Sequence, residues 1–195
     1  MKEIIKLGLI LLLVCVVAAF ALAVTNELTK DQIASQREKA SEEARKAILP
    51  NADSFKSLEE IDKDKFNEIL SNNDKIAEVF AGYKSDSIVG YTFKTLPSGY
   101  GGTVEVMTGI DIEGTISGVR VGNHQETPGL GANAELPDFY DQYKDKSIDK
   151  EIEVSKVEPT KDNEIQAISG ATITSNAVTS GVNIAINTFK EITGK

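Results

Sequence analysis

The chain begins with a long apolar run, and the pattern of hydrophobic and polar positions changes sharply after it. Residues 7–24 contain no charged side chain and consist mainly of Leu, Val, Ala and Ile. At about 1.5 Å per residue, a helix of this length just crosses a hydrocarbon core of about 30 Å. The run therefore predicts a transmembrane anchor within residues 1–25.

Two other interpretations of this run stay open. The sequence Ala21-Leu22-Ala23 resembles a signal-peptide cleavage site, so the segment could be removed after export. Cys15 could carry a lipid, but Val14 precedes it where a small residue is usual, and Cys15 is more simply a small apolar residue of the span. Lys2 and Lys6, in the short segment before the apolar run, favour a cytoplasmic N-terminus, with residues 25–195 outside the cytoplasm.

Residues 26–73 are polar and predict a helical stalk and N-terminal helices. Residues 29–48, rich in Glu, Lys and Ala, predict a helix with Thr29 or Asp31 as its N-cap and Pro50 after its end. Its thin apolar face allows two alternatives: a stalk that continues the membrane helix, or a solvated helix on the domain. A short helix is predicted around residues 63–70.

Strand patterns dominate the middle of the chain, and residues 74–195 are predicted to form one domain. Residues 76–83 and 87–95 favour strands, and residues 103–111 and 115–122 flank a hairpin turn. Residues 96–102 predict a loop, 138–144 one or two helical turns, and 151–158 a further strand. Residues 175–192 predict an amphipathic helix, with apolar positions three and four apart. Strands between helices indicate an α+β domain with a mainly antiparallel sheet.

Composition restricts the chemistry. The net charge of -9 argues against nucleic-acid binding, which depends on neutralising phosphates. One Cys and one His cannot build an iron–sulfur cluster or a covalently attached haem. A protein of this composition that moves electrons therefore needs an organic cofactor.

The segment Ser-Gly-Ala-Thr-Ile-Thr-Ser, residues 169–175, lies at the start of the final predicted helix. Unpaired N–H groups and the positive end of the helix dipole make such a position favourable for a phosphate. Ser and Thr are also common N-caps, so a simple helix start explains the same residues.

This segment resembles the flavinylation motif of the FMN-binding domain in the G subunit of Rnf complexes. The C subunit of the sodium-pumping NADH:quinone oxidoreductase is similar. In that family the threonine matching Thr172 carries FMN through a phosphoester, which a separate flavin transferase forms. A second block, His-Gln-Glu-Thr-Pro-Gly-Leu-Gly-Ala at 124–132, looks like the family's ETPGLG loop, which lies against the flavin.

The resemblance implies a set of cofactor-binding residues, and no catalytic or metal-binding ones. They are Thr172 with Ser169, Gly170, Ala171, Thr174 and Ser175 in the first block, and His124, Glu126, Thr127, Gly129 and Leu130 in the second. His124 could exchange protons with the flavin, although a hydrogen-bonding role in the loop is more usual. Gln166 stands where the family commonly has an acidic residue, which puts the efficiency of flavin attachment in question.

The resemblance further implies an electron-carrier subunit of a membrane-bound Rnf-type ion-translocating ferredoxin:NAD oxidoreductase complex. Such a chain is not a complete enzyme alone. Its expected partners are the other membrane subunits, a flavin transferase and the lipid bilayer, with the flavin domain outside the cytoplasm. The alternatives are a stand-alone extracytosolic flavoprotein electron carrier and a non-redox membrane-tethered interaction module.

Overall fold

The computed structural model describes all 195 residues, which divide into two compact units, residues 1–43 and 44–195. The first unit belongs to one long helix, α1 (Lys2–Ile48), which is long and apolar enough to cross a membrane. Because α1 is continuous, residues 29–48 extend the apolar helix, as one of the two alternatives predicted. The predicted N-cap at Thr29 or Asp31 is wrong: the Thr29 hydroxyl bonds the Thr25 carbonyl inside the helix.

The second unit is built on a five-stranded antiparallel sheet in the order β1-β2-β3-β4-β5. The strands are β1 (Ser54–Ser57), β2 (Ile76–Lys84), β3 (Ser87–Thr95), β4 (Val106–Asp111) and β5 (Ile116–Val121). The predicted hairpin between β4 and β5 is confirmed, and the Asp111 carboxylate accepts the N–H groups of Glu113, Gly114 and Thr115 in its turn. This short-range turn fixes the register of the two strands.

One face of the sheet is covered by the long C-terminal helix α5 (Thr172–Thr193), which packs mainly on β3 and β4. Its predicted apolar face is confirmed, since Val178, Val182 and Phe189 are fully buried. The rings of Phe189 and Tyr91 meet edge to face at 6.0 Å. This packing makes α5 the rigid element that positions residues 172–175.

The other face of the sheet holds the last turn of α1 in a groove lined by glycines. Gly82, Gly90, Gly109 and Gly118 lie on four neighbouring strands, and a Cβ at any of them would come within 3.1 Å of Ile48 or Leu49. Both residues are essentially fully buried, and the Ser117 hydroxyl donates to the Ile48 carbonyl at 2.5 Å. Gly109 and Gly118 therefore let the backbone at Ile48 approach the sheet directly, and Gly82 and Gly90 make room for the Leu49 side chain.

A second, two-stranded sheet lies beside α5 and is parallel, which the sequence did not indicate. It pairs β6 (Glu153–Ser155) with β7 (Glu164–Gln166), so the strand predicted over residues 151–158 is shorter than expected. Small helices complete the unit: α2 (Leu58–Ile61), α3 (Lys63–Asn72), α4 (Pro137–Tyr140), and 3-10 turns at Gly131–Glu135 and Asp141–Tyr143. The predicted α+β class with a mainly antiparallel sheet is confirmed.

Candidate functional site

The start of α5 leaves several backbone donors without a partner. Its N-cap, Ala171, has no capping side chain, and the tight turn before it closes through the Ala171 N–H to the Ile168 carbonyl at 3.0 Å. Gly170 adopts a φ of 76° in this turn, a conformation that glycine favours. The N–H groups of Thr172, Ile173 and Thr174 have no acceptor within the chain, so they and the helix dipole create a positive site suited to an anion.

The four hydroxyls of this segment have different surroundings. Thr174 and Ser175 are buried, and their hydroxyls are hydrogen-bonded inside the domain. Ser169 is exposed, and Thr172 is partly exposed as the first residue of the helix. Neither of these two hydroxyls has a hydrogen-bond partner within the chain, so they are the ones free to react.

Ser175 holds the turn onto the helix. Its hydroxyl accepts the Ile168 N–H and donates to the Ala171 carbonyl, both at 3.0 Å. Sequence reasoning placed Ser175 among the cofactor-binding residues, and the structure turns its side chain away from solvent. Its contacts fix the backbone on both sides of the glycine turn.

Glu126 connects three segments at this end of the domain. Its buried carboxylate accepts the Thr174 hydroxyl at 2.5 Å and the Gly101 N–H at 2.8 Å. Burial alone would raise the pKa of this carboxyl. The hydrogen bonds from Thr174 and from the backbone of Gly101 and Tyr100, with the nearby His124 ring, outweigh burial and hold the pKa below its ordinary value.

The loop that follows Glu126 is a compact turn against the α5 start. The Thr127 carbonyl accepts the N–H groups of Leu130 and Ala132, and Gly129 has a φ of 76°. A Cβ at Gly131 would lie 2.6 Å from both Glu126 Oε2 and Thr174 Oγ1, so any other residue there would displace these side chains or the loop. Leu130 remains partly exposed beside Gly170. The structure thus brings the two predicted blocks, 124–132 and 169–175, into contact.

Both ring nitrogens of His124 face polar atoms of this chain, and only Nδ1 makes a hydrogen bond. Its Nδ1 accepts the Glu126 N–H at 3.1 Å, which places the ring proton on Nε2. Nε2 lies 2.9 Å from Glu135 Oε1, but the N–H is poorly aligned with that oxygen, so the contact is electrostatic rather than a good hydrogen bond. In this arrangement His124 shapes the loop through Glu126.

Sequence reasoning missed Gln142, whose side chain holds the backbone just before residues 169–175. Its side-chain amide accepts the Gln166 N–H at 2.7 Å and donates to the Gln166 carbonyl at 3.3 Å. Gln166 is therefore held by its backbone, while its own side chain is exposed. Gly101 was also missed, because the pattern of residues 96–102 indicates a loop and nothing about its partner.

The chain is similar to known proteins along its whole length. The FMN-binding domain family matches residues 99–187, and the family described as the RnfG N-terminal region matches residues 1–48. The G subunit of the Na(+)-translocating ferredoxin:NAD(+) oxidoreductase complex of Acetobacterium woodii is 43% identical, covering 98% of this chain and 94% of that protein. The G subunit of an ion-translocating oxidoreductase complex from Methanosarcina acetivorans is 32% identical, covering 95% and 94%.

Solved structures share the fold at lower identity. NqrC of Shewanella oneidensis aligns with a TM-score of 0.57 and 17% identity, over 81% of this chain and 100% of that one. The C subunit of the Na(+)-translocating NADH-quinone reductase of Parabacteroides distasonis aligns with a TM-score of 0.54 and 21% identity, over 79% and 94%.

Proposed function

Because the chain belongs to the family of Rnf complex G subunits and carries an FMN-binding domain, we propose that it is the electron-carrier subunit of a membrane-bound, ion-translocating ferredoxin:NAD oxidoreductase complex. We further propose that FMN is joined to Thr172 through a phosphoester. When bound, FMN supplies the electron-accepting and electron-releasing chemistry that this chain lacks.

The observation that carries the proposal is the state of the Thr172 hydroxyl. Thr172 is the first residue of α5, partly exposed and without a hydrogen-bond partner, while Thr174 and Ser175 are committed to internal contacts. A phosphate on Thr172 would lie next to the unpaired N–H groups of residues 172–174. Those donors and the helix dipole would stabilise its negative charge.

The surroundings suit the remaining parts of the cofactor as well. Leu130, beside Gly170, and Ile173, in the first turn of α5, expose apolar side chains, and each can cover part of an aromatic ring. The Glu126 contacts keep the second loop against the helix start. These residues bind and orient, and none of them needs to react.

The apolar part of α1 supports attachment to a membrane. We propose that residues 1–25 anchor the chain, that 26–73 form the stalk and N-terminal helices together with the edge strand β1, and that 74–195 form the rest of the FMN-binding domain. In this arrangement the N-terminus is cytoplasmic and the flavin domain lies on the opposite side. Free FMN is scarce outside the cell, so a covalent bond would retain the cofactor there.

The test is intact mass spectrometry of the full chain produced with its flavin transferase. The wild-type chain and Ser169→Ala should gain the mass of one FMN less water, and Thr172→Ala should keep its unmodified mass. Ser169→Ala is the matched control, since Ser169 is the other uncommitted hydroxyl of the segment. An unmodified wild-type chain, or a Thr172→Ala chain that still gains FMN, would contradict the linkage. Other membrane subunits should co-purify with the wild-type chain from native membranes.

A further inference from the structure

The solvent-facing side of α5 is unusual for a helix in this protein. Charged residues make up 26% of the chain, yet residues 172–189 of α5 contain none. Asn176, Ser180, Asn183 and Asn187 follow one line along the helix at spacings of four, three and four. Solvated helix faces normally carry Lys and Glu, whereas the centres of protein interfaces are depleted of charge.

This line forms one wall of a groove of about 400 Å³, and the small parallel sheet forms the other. Ile152 and Val154 line the sheet side, and Glu151 is the only charged residue in the lining. The groove thus combines short amide and hydroxyl side chains with a narrow apolar strip.

The strand edge that faces the groove is partly open. Glu153 and Ser155 direct their backbone groups to β7, so the N–H and C=O of Val154, between them, point the other way. These two groups have no partner within the chain. Two residues before Val154, the Asn183 side-chain amide pairs with both the N–H and the C=O of Ile152, each at 2.9 Å.

Asn183 therefore binds the strand edge as a peptide group would. On the opposite edge, Gln142 pairs with the Gln166 backbone in the same way. Both edges are capped by an amide, and Val154 is the residue whose backbone is left open. An open edge beside a shallow groove is the arrangement that receives an added strand.

We propose that this groove, between β6 and α5, binds an extended segment of another subunit, which adds to the Val154 edge. The inference rests on the proposed membership of a membrane complex. Backbone pairing at Val154 and the amides of Asn176 and Asn187 suit a polypeptide, and Glu151 favours a neutral or basic one.

The first measurement is amide hydrogen exchange at Val154, in the purified complex and in the isolated full-length chain. Exchange should be at least about tenfold slower in the complex, because the N–H becomes hydrogen-bonded. If the subunits co-purify and Thr172 carries FMN, but Val154 exchanges equally fast in both samples, the groove inference is overturned and the proposed function stands. If no other subunit co-purifies with the wild-type chain, both are overturned.

The second measurement uses a variant whose side chain fills the groove. Ser180→Arg places a long side chain on an exposed helix position, so folding and FMN attachment should be unchanged while recovery of the partner subunit falls. Asn67→Arg, on the exposed face of α3, is the control and should behave as wild type. A photo-crosslinker at position 180 should map to one contiguous segment of one other subunit. Cross-links only to lipid or to a second copy of this chain would overturn the proposal.

Discussion

The Thr174 hydroxyl donates a 2.5 Å hydrogen bond to Oε2 of Glu126, 48 residues earlier in the chain. Both side chains are buried, and the bond joins the first turn of α5 to the loop that follows β5. Thr172, two residues before Thr174, is thereby held at a fixed place relative to Leu130 and Gly170. The arrangement of the candidate site therefore depends on a hydrogen bond between two buried side chains.

Thr174→Val keeps the shape of the side chain and removes the hydroxyl. The buried Glu126 oxygen then loses a donor, and we expect a loss of about 1–3 kcal/mol in the free energy of unfolding. Thr188→Val is the matched control on the same helix, since its hydroxyl bonds only the Ile184 carbonyl one turn away. Urea unfolding of the two variants checks this, and equal stabilities would contradict a special role for the Glu126 bond.

Gly131→Ala tests the close approach beside the same bond. The new Cβ would meet Glu126 Oε2 and Thr174 Oγ1 at 2.6 Å, so the loop must move and flavin attachment should slow. Gly129→Ala meets no neighbouring atom and adds only the strain of its φ of 76°, about 1–2 kcal/mol. Time courses of FMN attachment distinguish them, and a faster reaction for Gly131→Ala than for Gly129→Ala would count against the packing argument.

Lowering the pH should reduce the folding stability of the domain, because Glu126 becomes protonated. Its folded pKa is below the ordinary value of 4.5, so its stabilising contribution is fully present above that value and is lost as the pH falls through the folded pKa. Glu164 adds to the same trend, because hydrogen bonds from Thr160 and Lys161 lower its pKa to about 2. Melting temperatures measured from pH 7 down to pH 3 should fall less steeply in Glu126→Gln than in wild type. If the melting temperatures of the two proteins fall in parallel with pH, Glu126 does not contribute to the acid sensitivity.

Gln142→Ala removes the side chain that pairs with the Gln166 backbone. We expect slower attachment of FMN to Thr172, because residues 166–171 lose one of their fixed points. Gln166→Ala is the control, since the exposed Gln166 side chain makes no such contact and its backbone pairing is retained. Kinetics with purified transferase should show the larger change for Gln142→Ala, and the reverse order would assign the effect to the Gln166 side chain.

Local features of this fold were predictable from the sequence, and long-range ones were not. The β4–β5 turn depends on Asp111 and its next four residues, and the apolar face of α5 repeats within each turn. The start of α5 was predicted at residue 175 but lies at Thr172, and no hydroxyl of the segment caps the helix, because the N-cap is Ala171. Ser175 bonds the preceding turn, and Thr174 bonds Glu126.

β6 lies within the strand predicted over residues 151–158, but its partner β7 spans only three residues and shows no strand pattern, so the parallel pairing was not predictable. An amide side chain pairs with one backbone residue on each edge of this sheet, Gln142 with Gln166 and Asn183 with Ile152. Such amides give no signal in a single sequence, because any exposed turn or helix can carry them. The site was located by its motif. Its supports, Gly101 and Gln142, lie in segments whose patterns indicate only a loop and a helical turn.

The glycine-lined groove sets the order in which the domain can be completed. Ile48 is synthesised early, but Ser117, which donates to its carbonyl, follows 69 residues later. Since a chain emerges from the ribosome N-terminus first, the end of α1 waits in an exposed state until β5 has been made. Closing this loop of residues is a non-local step of the kind that slows folding. The end of α1 can therefore become buried only after β5, which supplies Ser117, has been made.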